Sequence, residues 1–325
     1  MTAISIIPAG SRLPALVRAA DERTRFRFLE FFTAQIRNPN TRRAYGKDVS
    51  QFFEWCQAQG VHELSEIHTL HVAAYVELLT KSHAAPTVKR HVAAIRRLFD
   101  WLVTGQVLSA NPALSVRPPK HSQRRGKTQI LESDEARVLL DAVDTDTLIG
   151  LRDRALISLM LFALSRIGAA ITMKVEDVYM QRHRLWVRLH EKGGKVHEMP
   201  CHHTLEAALH AWLDASGLRA NPKAALFPSC PGRMKADDLS WVLAGKAMTQ
   251  PGAYQMMRRR AAAAGISAII GNHSLRGTGI TAYLKNGGTL EKARDMANHA
   301  STTTTQLYDR RSDDVTLDEV ERIII

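Results

Sequence analysis

Six side chains in the second half of the chain are of types that hold and transform an anion. Arg166 follows a long apolar stretch, Lys192 stands in the glycine-rich HEKGGK segment, His273 and Arg276 lie three apart in NHSLR, and His299 and Tyr308 follow in ANHAS and QLYDRR. Residues i and i+3 of a helix share a face. His273 and Arg276 can therefore address one ligand, and a helix starting there adds the partial positive charge of its N-terminus. The set suits a single anionic centre. Other chemistries lack their residues. Gly245-Lys246 has no glycine at the spacing of a phosphate-binding loop, and no GxGxxG follows a strand, so no nucleotide cofactor is expected. His62-Glu63 and His197-Glu198 lead to no second histidine at zinc-protease spacing, and the adjacent Cys201, His202 and His203 cannot all face one ion. No metal is expected.

The chain that must position these groups has 325 residues, 45% hydrophobic and 23% charged, enough for about two globular domains. Its 44 Lys and Arg outnumber 32 Asp and Glu, a net charge of +12. The excess is local. Residues 1–127 carry 19 basic against 9 acidic side chains, net +10, whereas residues 128–325 carry 25 against 23. A first domain so charged points to a polyanion partner, nucleic acid before an anionic membrane. Cys56, Cys201 and Cys230 make neither a disulfide framework nor a paired metal site, which suits a reducing cytoplasm. No basic leader marks a signal peptide, and no apolar run approaches the roughly 18 residues of a membrane span.

Residues 1–22 lack periodicity and read as a flexible leader. Residues 23–110 read as helical. One helix lies near 23–37, one from Thr41 puts Tyr45, Val49, Phe52 and Phe53 on a single face, a short one covers 70–79, and one from Pro86 to Gly105 turns Val88, Val92, Ile95, Phe99 and Leu102 inward. The charges left outside are Arg42, Arg43 and Lys47 on one helix and Lys89, Arg90, Arg96 and Arg97 on another. Sharing one sign, they read as a phosphate-facing surface. Residues 111–127 form a basic, Pro-containing linker whose Lys120, Arg124 and Arg125 can strap along the same backbone. Residues 128–325 open with Ser133 as an N-cap ahead of two acids and continue into a central apolar helix over 154–163. A β-hairpin follows, RLWVRLH and VHEMP around EKGGK. With helical patterns near 204–215, 254–264, 274–285 and 289–297, this domain is mainly α with a small β-sheet. An acidic amphipathic end within 312–325, TLDEVERIII, reads as an oligomerisation tail.

In this order and with these flanks, the six residues resemble the tyrosine recombinase (phage integrase) family of site-specific DNA recombinases. The resemblance rests on Arg166 in LSRIGAAITMKVEDV, Lys192 in HEKGGKVHEMP, His273 and Arg276 in NHSLRGTGITAYLKNGG, His299 in ANHAS and Tyr308 in TTTQLYDRR, with nine residues from His299 to Tyr308 as in the family pattern. It covers about residues 25–320, because the basic first domain is similar to the family's helical, SAM-like core-binding domain. The resemblance implies an α+β catalytic domain and an enzyme that breaks and rejoins DNA. Tyr308 is the implied nucleophile, Arg166 and Arg276 hold the non-bridging oxygens, His273 is general base or hydrogen-bond partner, Lys192 protonates the leaving 5′ oxygen, and His299 bonds the phosphate. Charge builds on those oxygens during attack, and paired guanidinium donors stabilise it. A free phenol ionises near pH 10, so about one in a thousand is phenolate at pH 7. A base or a positive pocket has to activate it. The implied intermediate is a 3′-phosphotyrosyl link with a free 5′-hydroxyl, which conserves the phosphodiester and implies neither ATP nor metal. Double-stranded DNA with a specific site is the implied partner, bound by a tetramer assembled on two sites from monomers, in a bacterial-type cytoplasm at the nucleoid.

Four places depart from the family pattern. Leu164-Ser165 precede Arg166 where Gly-Leu is usual, Ala169 stands where a Glu commonly follows, Gly277 replaces a frequent His, and Ala297-Asn298 replace Leu-Gly before His299. None removes a catalytic group. The absent Glu leaves the support of Arg166 open, and Lys195 competes with Lys192 for the acid role. Divergent flanks favour a mobile element, through integration or resolution, over housekeeping. A type IB topoisomerase shares the residue set, and a catalytically silent DNA-binding regulator of the same fold is the non-enzymatic alternative. A grip through phosphates has a direct readout. The logarithm of the DNA-binding constant should fall linearly with the logarithm of salt concentration, by about 0.9 per phosphate neutralised, in titrations of a labelled duplex; a flat line refutes the basic face.

Overall fold

The computed structural model describes residues 13–120, 126, 128–191, 193–230, 240–243, 245–309 and 320–321. The chain divides into two units, Met1–Ser122 and Gln123–Ile325. Among the described residues no helix is long and apolar enough to cross a membrane.

The first unit is all helical: α1 (Ala15–Ala19), α2 (Glu22–Glu30) continued by a π-helical turn (Phe31–Gln35), α3 (Pro39–Ala58), α4 (Thr69–Ser82) and α5 (Ala85–Thr104). Short polar side chains start two of them. The Asp21 carboxylate accepts from the Thr24 amide at 2.8 Å, and the Asn38 side chain accepts from the amides of Asn40 and Thr41 at 3.0 and 3.2 Å, with Pro39 suiting the first turn. Phe28, Phe31, Phe52, Phe53 and Phe99 fill the core. A charge sits beneath it. Asp48 is fully buried on α3, accepts from Arg90 Nε and Nη2 on α5 at 2.7 and 2.9 Å, and has His91 Nε2 at 3.2 Å.

Two expectations change in this unit. Leu16 and Val17, within the stretch read as a flexible leader, are buried in the core; a five-residue helix is too short to show a period. Residues 1–12 lie outside those described. Ala113 and Val116, within the stretch read as linker, are buried in the same core, and Arg96 donates to their carbonyls at 3.2 and 2.6 Å. Isolated apolar residues among prolines carry no periodic signal.

In the second unit α6 (Ser133–Asp141) leads to the central helix α7 (Leu148–Phe162) and the short α8 (Ile167–Ile171). The cap of α6 is Glu132, one residue ahead of the expected Ser133, and its amide donates to the Glu135 carboxylate at 2.9 Å. An antiparallel sheet follows in the order β1 (Val178–Gln181), β2 (Arg184–His190), β3 (Val196–Pro200). Val187 pairs with Val178 on one side and Met199 on the other, and Leu185, Val187 and Leu189 face the core. The hairpin matches its expected alternation; β1, four residues with both its last two exposed, has too little alternation to be foreseen. Helices α9 (His203–Ser216), α10 (Ser240–Leu243), α11 (Gln250–Ala263), α12 (Ser274–Lys285), α13 (Leu290–Met296) and α14 (Thr302–Gln306) complete the unit. Mainly α with one small sheet, beside a helical first unit, is the architecture the sequence implies. Buried Asp153 joins α7 to α11, accepting from Arg152 at 2.7 Å and from Arg260 at 2.8 Å.

Helix α12 carries His273 at its cap and Arg276 in its first turn, so its depth decides where they sit. It lies hard against α7: a Cβ added at Gly279 would come within 2.1 Å of the Leu161 carbonyl oxygen. Gly279→Ala should therefore push the two helices apart and cost about 1–3 kcal/mol of stability, as overpacking does. Chemical denaturation measures this, and an unchanged midpoint contradicts the close approach.

Candidate active site

Two backbone turns and one buried arginine organise the site. After α7 the chain passes through Leu164 with φ +48°, a left-handed conformation that side chains other than glycine rarely adopt. The strain of about 1–2 kcal/mol is offset because Leu164 is buried in a small cluster with Ile280 and Leu284 of α12. Before His299 the chain makes a second such turn at Asn298, φ +45°, where a short polar side chain is better tolerated. Both are positions where the sequence departs from the pattern it resembles. Here residues other than glycine bear a left-handed conformation.

Both turns aim carbonyls at arginines. Arg276 is 2% exposed; its Nη1 donates to the Leu164 carbonyl and its Nη2 to the Ala297 carbonyl. Arg166 sits at the N-cap of α8, with its Nη2 3.4 Å from the Asn298 carbonyl oxygen and its Nη1 2.7 Å from Glu191 Oε2. The Arg166 side chain is 36% exposed and that of Glu191 only 5%. The carboxylate thus backs a guanidinium that faces outward.

The phenol belongs to the same arrangement. Ser301 caps α14, its side chain accepting from the Thr303 amide at 3.2 Å. The Tyr308 amide donates to Thr305 O at 2.9 Å, and the Tyr308 carbonyl accepts from Thr281 Oγ1 of α12 at 2.8 Å. The ring lies over Gly277, where an added Cβ would approach Tyr308 Cδ1 and Cε1 to 3.1 Å. It also stacks with His299, centroids 6.0 Å apart and planes 15° from parallel. His299 Nδ1 is 2.9 Å from the hydroxyl of buried Thr305.

Positive charge dominates the electrostatics. Burial and then neighbouring Arg166 bring the Arg276 guanidinium down to about 10, with Glu191 and Tyr308 acting in the opposite direction. It remains a cation at neutral pH. Burial, then Arg276 and Arg166, push His299 down to about 4, and the same three causes lower His273. Both imidazoles are neutral near pH 7 and can accept a proton or a hydrogen bond.

Five of the six expected residues, Arg166, His273, Arg276, His299 and Tyr308, are thus linked by bonds, stacking or mutual electrostatic influence in one chain. Lys192 lies outside the described residues. The turn around it is closed by the Glu191 amide donating to Lys195 O at 2.7 Å, with Gly193 and Gly194 at φ +81° and +76°. Lys195 itself is exposed. Glu191 escaped the sequence reading: it stands 25 residues from Arg166 with no helical spacing to it. The one available signal was Ala169, an arginine's expected acid missing.

Of the basic residues assigned to DNA in the first unit, Arg43, Lys47 and Lys120 are exposed and Lys89 is half-buried. Others are engaged internally: Arg42 donates to Ile36 O at 2.9 Å, Arg90 to Asp48, Arg96 to Ala113 O and Val116 O, and Arg97 to Gln35 O at 3.2 Å. Arg124 and Arg125 lie outside the described residues.

Residues 129–314 match the model of the phage integrase family, and residues 27–106 match that of the phage integrase N-terminal SAM-like domain. The first match spans more than half of the chain, and the protein belongs to the phage integrase (tyrosine recombinase) family. Tyrosine recombinase XerD of Listeria monocytogenes serotype 4b (strain F2365) is 26% identical over 271 residues, 83% of this chain and 87% of that one. In fold the chain is similar to the XerH site-specific recombinase in a post-cleavage complex with palindromic difH substrate, at TM-score 0.69, 17% identity and 96% of each chain. It is also similar to a lambda integrase tetramer bound to a Holliday junction, at TM-score 0.64 and 15% identity over 96% of this chain and 86% of that one.

The depressed His299 has a consequence for stability. An unfolded histidine titrates near 6.5, the folded one near about 4. Between those values the unfolded chain binds the proton and the folded chain does not, so stability falls as pH drops from about 6.5 toward about 4. His299→Gln should flatten that fall, read as urea midpoints at pH 7 and pH 5. An equally steep fall in the variant contradicts a neutral, half-buried imidazole.

Proposed function

We propose that the protein is a site-specific DNA recombinase that cuts one strand through Tyr308 and reseals it to a partner strand. The observation that carries this reading is the placement, within one chain, of a phenol beside two guanidinium groups and two neutral imidazoles. A DNA phosphate held by Arg166 and Arg276 meets donors matched to the charge that develops on its non-bridging oxygens. The Tyr308 oxygen bonds to phosphorus, its proton passing to a neutral imidazole, while the bond from phosphorus to the 5′ oxygen breaks and Lys192 protonates that oxygen. The 3′-phosphotyrosyl link keeps the phosphodiester energy, and a 5′-hydroxyl from the partner strand reverses the step. These residues do the chemistry without a cofactor.

Each chain supplies its own nucleophile, so exchange of all four strands of two duplexes calls for four chains. The likeness in fold to a lambda integrase tetramer on a Holliday junction supports that assembly. The expected oligomerisation tail, 312–325, lies outside the described residues except 320–321; it is proposed as the contact between neighbouring subunits that assemble from monomers on double-stranded DNA. Lys47, Arg43 and Lys120 are proposed to face DNA phosphates. Divergence at Leu164, Asn298 and Ala169 supports service to a mobile element in a bacterial-type cytoplasm.

The deciding experiment incubates the protein with nicked duplexes bearing its recombination site and separates products under denaturing conditions. A covalent protein–DNA adduct should form and should vanish in Tyr308→Phe. No adduct on a site the protein binds specifically overturns the enzymatic reading and leaves a silent DNA-binding protein.

A further inference from the structure

We infer that Glu191 is a positioning residue that holds Arg166 in the orientation a DNA phosphate requires, an inference that rests on the recombinase reading above. Arg166 begins a helix only five residues long whose first turn contains no acid. Ala169, on that helix and 5% exposed, offers no polar atom beyond its backbone. The counterion comes instead from the β2–β3 turn, where Glu191 Oε2 lies 2.7 Å from Arg166 Nη1. A charge-assisted bond of that length fixes direction as well as distance.

Burial makes the contact asymmetric. With the carboxylate 5% and the guanidinium 36% exposed, Glu191 cannot trade this bond for water, while Arg166 keeps other N–H donors of its five for a ligand. The turn that carries Glu191 is itself tied, since the Glu191 amide donates to Lys195 O at 2.7 Å. Glu191 also acts on the second arginine, opposing the fall that burial and Arg166 impose on Arg276. It therefore supplies both a direction for one guanidinium and a charge that lets two stand together before any phosphate arrives.

Orientation and charge pull in opposite directions when the carboxylate is removed. Loss of a negative charge beside the cleft favours a phosphate anion, so DNA binding should hold or tighten. Loss of the anchor lets Arg166 swing, and a reacting group misplaced by about 1 Å can cost roughly 10²-fold in rate. A residue that merely supported the fold would lower binding and cleavage together.

The test compares Glu191→Ala, Glu191→Gln and Glu191→Asp with the parent chain on the nicked site, measuring duplex affinity by gel shift and single-turnover adduct formation at saturating protein. Affinity should be no weaker than the parent's, with cleavage slowed roughly 10²-fold in the Ala and Gln variants and partly restored in Asp. The nearly isosteric Gln variant guards against misfolding of the Ala variant. The same rates are taken on a site whose scissile 5′ oxygen is replaced by sulfur, a leaving group that needs no protonation. A defect that persists on sulfur supports action through Arg166. A defect abolished by sulfur overturns the inference and assigns Glu191 to the neighbouring lysine. Undiminished cleavage in Ala and Gln, or a parallel loss of binding and cleavage, overturns it and leaves the recombinase reading intact. Absence of adduct in the parent chain overturns both.

Discussion

A buried cation sets the terms for the second unit. Taking the Arg276 guanidinium out of water costs several kcal/mol unless its donors find acceptors, and those it finds are the carbonyls of Leu164 and Ala297. One belongs to the turn between α7 and α8, the other to the connection between α13 and α14. A single side chain on α12 therefore registers three stretches of backbone. Arg166 leaves one of those stretches and Tyr308 follows another, so the proposed site residues are tied to one another through hydrogen bonds to main chain. Carbonyls cannot change rotamer, and this gives the cleft a stiffness that side-chain contacts alone would not.

The same choice of acceptors leaves charge uncompensated. Carbonyls satisfy donors but bring no negative charge, so Arg276 and Arg166 share the influence of Glu191 and their field reaches His273 and His299. A phosphate between the arginines opposes each of these effects at once. It would raise the imidazoles toward their ordinary range.

Much of this was legible in residue types and spacing. The i, i+3 pair His273 and Arg276, the apolar run ahead of Arg166, and the alternation in β2 each follow from a local period, and local periods survive without an alignment. Leu164 and Asn298 were visible as departures, but a departure does not say what backbone conformation the residue adopts; only φ settles that. Glu191 was hidden for a different reason. Its bond to Arg166 is made by tertiary packing of a hairpin turn against a helix start, and no one-dimensional pattern encodes it. In the first unit, the reading that every outward Arg serves DNA ignored how often guanidinium groups secure nearby backbone: Arg96 holds Ala113 and Val116, and Arg42 holds Ile36.

The left-handed turn at Leu164 and the buried charge it faces together describe a site kept ready at the expense of the fold. Strain at Leu164, desolvation of Arg276 and its repulsion by Arg166 are built into the site, and a ligand that binds the native state alone stabilises it, by about 2.7 kcal/mol at a hundred times its dissociation constant. DNA is then a structural ligand as well as a substrate. Occupancy of the site and stability of the fold are thus two faces of one equilibrium.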